Sequence, residues 1–210
     1  MANIISALVT ESLKTIPFIG TIISSWEKYQ ADVKQEQIAE FINEVYIRIN
    51  NLESNPIKWD FYETIEGKKI AKKIVASAAN AEYSDKVQYF ANVFVHATFP
   101  NISHDEKQKF IEILRLISYP AIKVLANARK IHLKRGQSHS PQVDVGSIVG
   151  FSKLNPHIVE ACITELYNLG VFSSTIEFDI HGRQLKNYTS GVPAYTAFTE
   201  RFVQFISTED

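Results

Sequence analysis

Residues 155–183, NPHIVEACITELYNLGVFSSTIEFDIHGR, decide how this chain is read. Asn155-Pro156 is a helix start: a side-chain acceptor followed by a proline, whose missing N–H is harmless in a first turn. Ile158, Val159, Cys162, Ile163, Leu166 and Leu169 then recur at helical spacing and define one inward face. Gly170 suits the left-handed residue that closes such a helix. After it the period changes to two. Ile176, Phe178 and Ile180 alternate with Glu177 and Asp179 as in a half-buried strand, and His181-Gly182-Arg183 is a turn signal.

Working outward, residues 135–142 (RGQSHSPQ) read as a linker, and Asp144 is placed to cap a short helix through Val149. A return strand is expected between Gln184 and Tyr195. A last helix over about 197–207 turns Phe198, Phe202, Phe205 and Ile206 inward. Short helix, turn, longer helix, strand, turn, strand, helix is the order of a winged helix-turn-helix. The expected fold class is therefore mostly α: an N-terminal helical bundle over residues 1–135, followed by a small winged-helix-like α+β module over 136–210.

The bundle is written in helical periods. Ile4, Ile5, Leu8, Val9 and Leu13 predict a short helix over 3–14, broken by Pro17 and Gly20. A second helix is expected from near Thr21 to Leu52, with Ile38, Phe41, Ile42, Val45, Ile49 and Leu52 as its stripe. Trp59-Asp60-Phe61-Tyr62 is a short aromatic segment. Further helices are expected over 68–80, from Ser84 to Pro100, and from the capping-box pattern Ser103-His104-Asp105-Glu106 onward. Ser118-Tyr119-Pro120 opens another, running to about Leu133.

The chain has 210 residues, 45% of them hydrophobic, enough to fill a core, and a net charge of −1. That charge is unevenly spread. Residues 55–135 carry 14 basic and 8 acidic side chains, whereas residues 136–210 carry 4 and 8. Only the middle third attracts a polyanion at range. The single cysteine, Cys162, rules out an internal disulfide and suits a reducing cytoplasm. The first ten residues, MANIISALVT, contain no basic side chain, so no secretory signal is expected.

Direct DNA reading is disfavoured. The helix that would enter the major groove presents His157, Glu160, Thr164, Glu165 and Asn168 outward, without an Arg or Lys, and its carboxylates repel phosphate. Near it lie only Lys153 in the preceding turn and Arg183 and Lys186 in the wing. For two basic clusters a solvated face is the favoured reading and contact with nucleic acid or an acidic partner the alternative: Lys68, Lys69, Lys72 and Lys73 on one broad helix face, and Arg129, Lys130, His132, Lys134 and Arg135 at a helix end. The second also complements a helix macrodipole. The uncharged run Thr15–Trp26 has 12 residues, too few to cross a bilayer; burial against the second helix is the favoured reading, with a membrane contact through residues 1–26 as the alternative.

No phosphate-binding loop, dinucleotide fingerprint or nucleophile elbow is present. The six histidines never pair at metal-ligand spacing, and Cys162 lies on an apolar stripe. No catalytic, cofactor or metal residue is assigned and no cofactor is expected.

Several stretches share a layout. These are IAKKIVASAA (70–79), FANVF (90–94), FIEILRLIS (110–118), AIKVL (121–125), LYNLGVF (166–172) and YTAFTERF (195–202). Over about residues 70–207 they resemble the bacterial abortive-infection alpha (Abi-alpha) family, with Thr199 or Glu200 where the family ending has a glycine. The shared motifs are packing motifs, so no functional residue carries over. The resemblance implies a helical bacterial protein linked to phage response or host-cell arrest. The expected function is a non-enzymatic interaction or regulatory protein that binds another protein or itself, with a winged-helix DNA-binding regulator and a membrane-perturbing effector as the alternatives.

Overall fold

The computed structural model describes residues 32–51, 58–135, 145–174 and 193–207. Among them are eight α-helices: α1 (Asp32–Asn51), α2 (Ile65–Ala79), α3 (Val87–His96), α4 (His104–Leu116), α5 (Tyr119–Arg135), α6 (Val145–Ser152), α7 (Pro156–Asn168) and α8 (Ala197–Ile206). Two 3-10 turns, Trp59–Glu63 and Ser84–Lys86, precede α2 and α3. The chain divides into two units. The first comprises residues 1–115 and 205–210, the second residues 116–204, so α5 falls in the second unit.

The first unit is built on the stripe read from α1. Ile38, Phe41, Ile42 and Val45 are all buried against α3, whose Phe90, Ala91, Val93, Phe94 and Val95 are buried in turn. Phe94 is the centre of an aromatic group. Tyr62 stacks on it at 4.6 Å, Phe41 meets it edge-on at 5.7 Å, and the Tyr62 hydroxyl donates to the Phe94 carbonyl. That bond satisfies the one polar atom of a fully buried ring. α2 starts where Thr64 Oγ1 accepts from Gly67 N–H at 2.9 Å. Gly67 lies so close to the preceding turn that a Cβ there would sit 1.9 Å from the Phe61 carbonyl oxygen. Sequence-distant residues complete this core. Asn92 Nδ2 donates to the Ile206 carbonyl at 2.7 Å, Arg48 donates to Asn92 Oδ1, and the Phe205 ring lies 5.4 Å from that of Phe110.

In the second unit α5 packs against α6 and α7. The Asn155 cap accepts from His157 N–H at 2.9 Å, with Pro156 in the first turn. At the other end Gly170 adopts φ 74°, and the N–H groups of Val171 and Phe172 turn back to the Leu166 carbonyl. Val171 and Phe172 are buried, and the Val171 carbonyl accepts from Thr199 Oγ1 at 2.6 Å, which fixes the start of α8.

The α+β winged-helix module is not what the second unit contains. Among the described residues its only extended pairing is a two-residue antiparallel ladder, Ser173↔Ala194 and Ser174↔Pro193, and the rest is helix and turn. Two residues per strand are too few for a wing, and Pro193 has no N–H to donate to a ladder. The strand read over 175–180, the turn at 181–183 and most of the return strand lie outside the described residues, as do the predicted helix over 3–14 and residues 1–26. No described helix is long and apolar enough to cross a membrane.

Candidate functional site

The four lysines of α2 do not act as one group. Lys68, Lys69 and Lys72 are exposed and lie outside ion-pair reach of any carboxylate among the described residues. Lys73 is on the flank turned to α4, 3.5 Å from Glu112 and hydrogen-bonded to Gln108 Oε1 at 3.2 Å. Hydrogen bonding from Arg115 holds the Glu112 carboxyl below its ordinary range, with the charges of Arg115 and Lys73 adding to it. Ile65, three-quarters exposed, stands at the N-terminal end of the lysine stripe.

The cluster at the end of α5 is likewise divided. Arg129 turns to α8, where its Nε and Nη2 lie 3.1 and 2.8 Å from Glu200 Oε1. The other Glu200 oxygen accepts from the Tyr195 hydroxyl at 2.6 Å, and His132 stacks on the Tyr195 ring at 4.6 Å. Burial works against the Glu200 carboxylate. Hydrogen bonds from Arg129 and Tyr195, and the Arg129 charge, outweigh it, so the carboxyl titrates below its usual range. Burial, and then the bond to Glu200, pushes the Tyr195 phenol far above its usual range. This group ties α5 to the start of α8 and is a structural network.

Lys130 and Lys134 are exposed, and the Lys134 ammonium lies 4.8 Å from the centre of the Phe151 ring. Arg135 ends α5. Lys153 is exposed in the turn between α6 and α7, at φ 56°. Arg183 and Lys186 lie outside the described residues. The two basic clusters of the sequence are thus an exposed face on α2 and an exposed face on α5, with Lys73 and Arg129 turned away into ion pairs.

On α7, His157, Glu160, Thr164 and Asn168 face outward as expected, and Val159, Cys162, Ile163 and Leu166 inward. Glu165 instead reaches Ser118, and Ile158, expected inward, is 46% exposed. The Cys162 thiol is raised by burial and by the Glu165 charge, the opposite of what a nucleophile needs.

Comparison of the chain with family models, curated proteins and solved structures finds no match. What the site offers is therefore read from its own chemistry. Among the described residues no three His, Cys, Asp or Glu side chains gather as for a metal ion. Two features went unread in the sequence. Lys123, exposed on α5, continues the line of Lys130 and Lys134, and its helical spacing was the available signal. Five large apolar side chains stand at the surface of the second unit, from Tyr167 at 44% exposure to Leu133 at 60%, with Leu116, Phe151 and Ile158 between them.

Proposed function

We propose that this protein is a non-enzymatic, helical interaction protein of the cytoplasm that acts by docking another protein through its second unit. The carrying observation is the set of exposed apolar side chains on α4–α7: Leu116, Leu133, Phe151, Ile158 and Tyr167. Single exposed apolar residues are ordinary, but several large ones on a unit of this size favour an interface. The resemblance of residues 70–207 to the Abi-alpha family supports a setting in bacterial phage defence. The test compares the wild-type chain with a Phe151→Ser/Ile158→Ser variant by cross-linking in cells followed by light scattering of the purified species. The proposal expects an associated species that the variant loses while its helical melt is kept. Identical behaviour of the two chains would refute it.

A second reading, a DNA-binding regulator, draws on a separate observation: Lys68, Lys69 and Lys72 are exposed on one face of α2 and hold no carboxylate among the described residues. Phosphate neutralisation by three lysines gives duplex affinity that falls steeply with salt. Neutralising the three should abolish that salt dependence; duplex binding unaltered by the change would exclude this face.

A further inference from the structure

Helix α5 (YPAIKVLANARKIHLKR) carries six basic or imidazole side chains and no carboxylate. Its inner face is settled: Ala121, Ile122, Val124, Leu125, Ala128 and Ile131 are buried. Its outer face is Lys123, Ala126, Lys130, Leu133 and Lys134, all exposed. The steps 123, 126, 130, 133 are three, four and three residues, the spacing by which one helix presents a continuous seam to another. Lysine and an apolar residue alternate along it. From Lys123 to Lys134 the seam runs about 16 Å, three turns of helix.

The lysines at its two ends are held in place. The Lys123 ammonium lies 4.4 Å from the centre of the Tyr119 ring and that of Lys134 lies 4.8 Å from the Phe151 ring. Neither they nor Lys130 has a carboxylate partner among the described residues. Arg129, on another flank, is already matched by Glu200.

We infer that this seam docks an acidic amphipathic helix of a partner protein, with carboxylates opposite Lys123, Lys130 and Lys134 and apolar side chains over Ala126 and Leu133. This rests on the interaction reading above and names the partner's chemistry. Charge complementarity asks for an anion. The alternating apolar positions ask for more than charge, because a phosphate backbone would leave Leu133 and the half-exposed Phe151 facing hydrated oxygens. The seam also lacks a guanidinium fork for base edges, and the Asn127 amide is engaged with the Lys123 carbonyl at 2.8 Å. A second copy of the chain is a poor occupant: α1, with four carboxylates, buries its own apolar stripe of Ile38, Phe41, Ile42 and Val45.

The test is fluorescence anisotropy of the full chain with three labelled probes at one salt concentration: a designed helical peptide with Leu and Glu at heptad spacing, polyglutamate of equal length, and a random DNA duplex. The expected result is that the Leu/Glu peptide binds in the micromolar range and at least about tenfold more tightly than the other two probes. Lys123→Glu/Lys130→Glu and, separately, Leu133→Ser should each weaken it by about tenfold with the circular dichroism melt unchanged. Equal binding of polyglutamate, insensitivity to Leu133→Ser, tighter binding of the duplex, or no binding of the peptide would each overturn the inference. If the seam fails while the Phe151→Ser/Ile158→Ser variant still abolishes association, the interaction reading stands and only this partner chemistry falls.

Discussion

The Glu165 carboxylate of α7 accepts two hydrogen bonds from Ser118, one from its backbone N–H at 2.5 Å and one from its hydroxyl at 2.7 Å. Ser118 Oγ itself accepts from Ala121 N–H at 3.3 Å, so a carboxylate 47 residues away completes the N-terminal cap of α5. Its negative charge also meets the positive end of the helix dipole. Glu165→Ala is expected to cost about 1–3 kcal/mol and Glu165→Gln less, since an amide keeps one acceptor. Urea unfolding measures both. Equal, negligible effects would show that the cap contributes nothing.

The Arg129–Glu200 pair makes the second unit acid-sensitive. The Glu200 carboxyl lies below its ordinary 4.5 in the folded state, so the fold favours its ionised form. That stabilisation is complete above pH 4.5 and is lost as pH falls through the lower folded value. Glu200→Gln should flatten the stability profile below pH 4.5, and Arg129→Met should cost roughly 1–2 kcal/mol at neutral pH. An unchanged acid limb in Glu200→Gln would refute the assignment.

At alkaline pH two tyrosines act in the opposite direction. Burial raises Tyr62, and burial with the bond to Glu200 raises Tyr195, both well above the usual 10. The folded state keeps both phenols protonated, so stability is intact below pH 10 and declines above it as the unfolded chain ionises. Absorbance titration near 295 nm should show a component that appears only with unfolding. Tyr62→Phe and Tyr195→Phe should each remove part of it.

Two glycines should respond oppositely to alanine. At Gly67 a Cβ would meet Phe61 O at 1.9 Å and Tyr62 Cα at 2.8 Å, which are backbone atoms that cannot rotate away. Gly67→Ala is expected to cost roughly 2–4 kcal/mol by separating α2 from the Trp59–Glu63 turn. At Gly150 nothing among the described residues lies within 4 Å, and Gly150→Ala should stabilise α6 by about 0.5–1 kcal/mol. Thermal melts of the two variants decide this; equal shifts would refute the packing at Gly67.

Cys162 is 4% exposed and its thiol is raised, so a thiol reagent should modify it only as fast as the second unit opens. Immediate labelling of the native chain would contradict its place in the core.

Periodicity and punctuation carried most of the legible structure. The Asn155-Pro156 start, the Gly170 stop and the first four residues of the α1 stripe are local signals that stand where expected; Ile49 is only partly buried and Leu52 lies outside the described residues. Long-range partners leave no such trace. Nothing near Glu165 names Ser118, and nothing near Arg129 names Glu200. Ile158 is apolar and its spacing predicts an inward position, but Val159, Cys162, Ile163 and Leu166 already fill the face turned to the core. Two lysines escaped the rule that charges face water. Lys86 donates to the Arg115 carbonyl at 3.2 Å, and Lys107 lies over the Phe61 ring at 4.6 Å. The α+β expectation failed for a related reason. Alternation over 175–180 describes a strand only if a partner strand is supplied, and the described pairing beside it is two residues long.

The core of the first unit is closed by residues from far along the chain. Asn92 bonds the Ile206 carbonyl 114 residues later, His96 contacts the Phe205 carbonyl at 2.9 Å, and Phe205 packs on Phe110. At about 5–20 residues per second, a ribosome leaves α1–α4 without that closing piece for on the order of ten seconds. During that interval Asn92 and the Phe110 ring are open to water or to a chaperone. A chain cut before Phe205 would lack these contacts, so α8 acts as a check on the helices made before it.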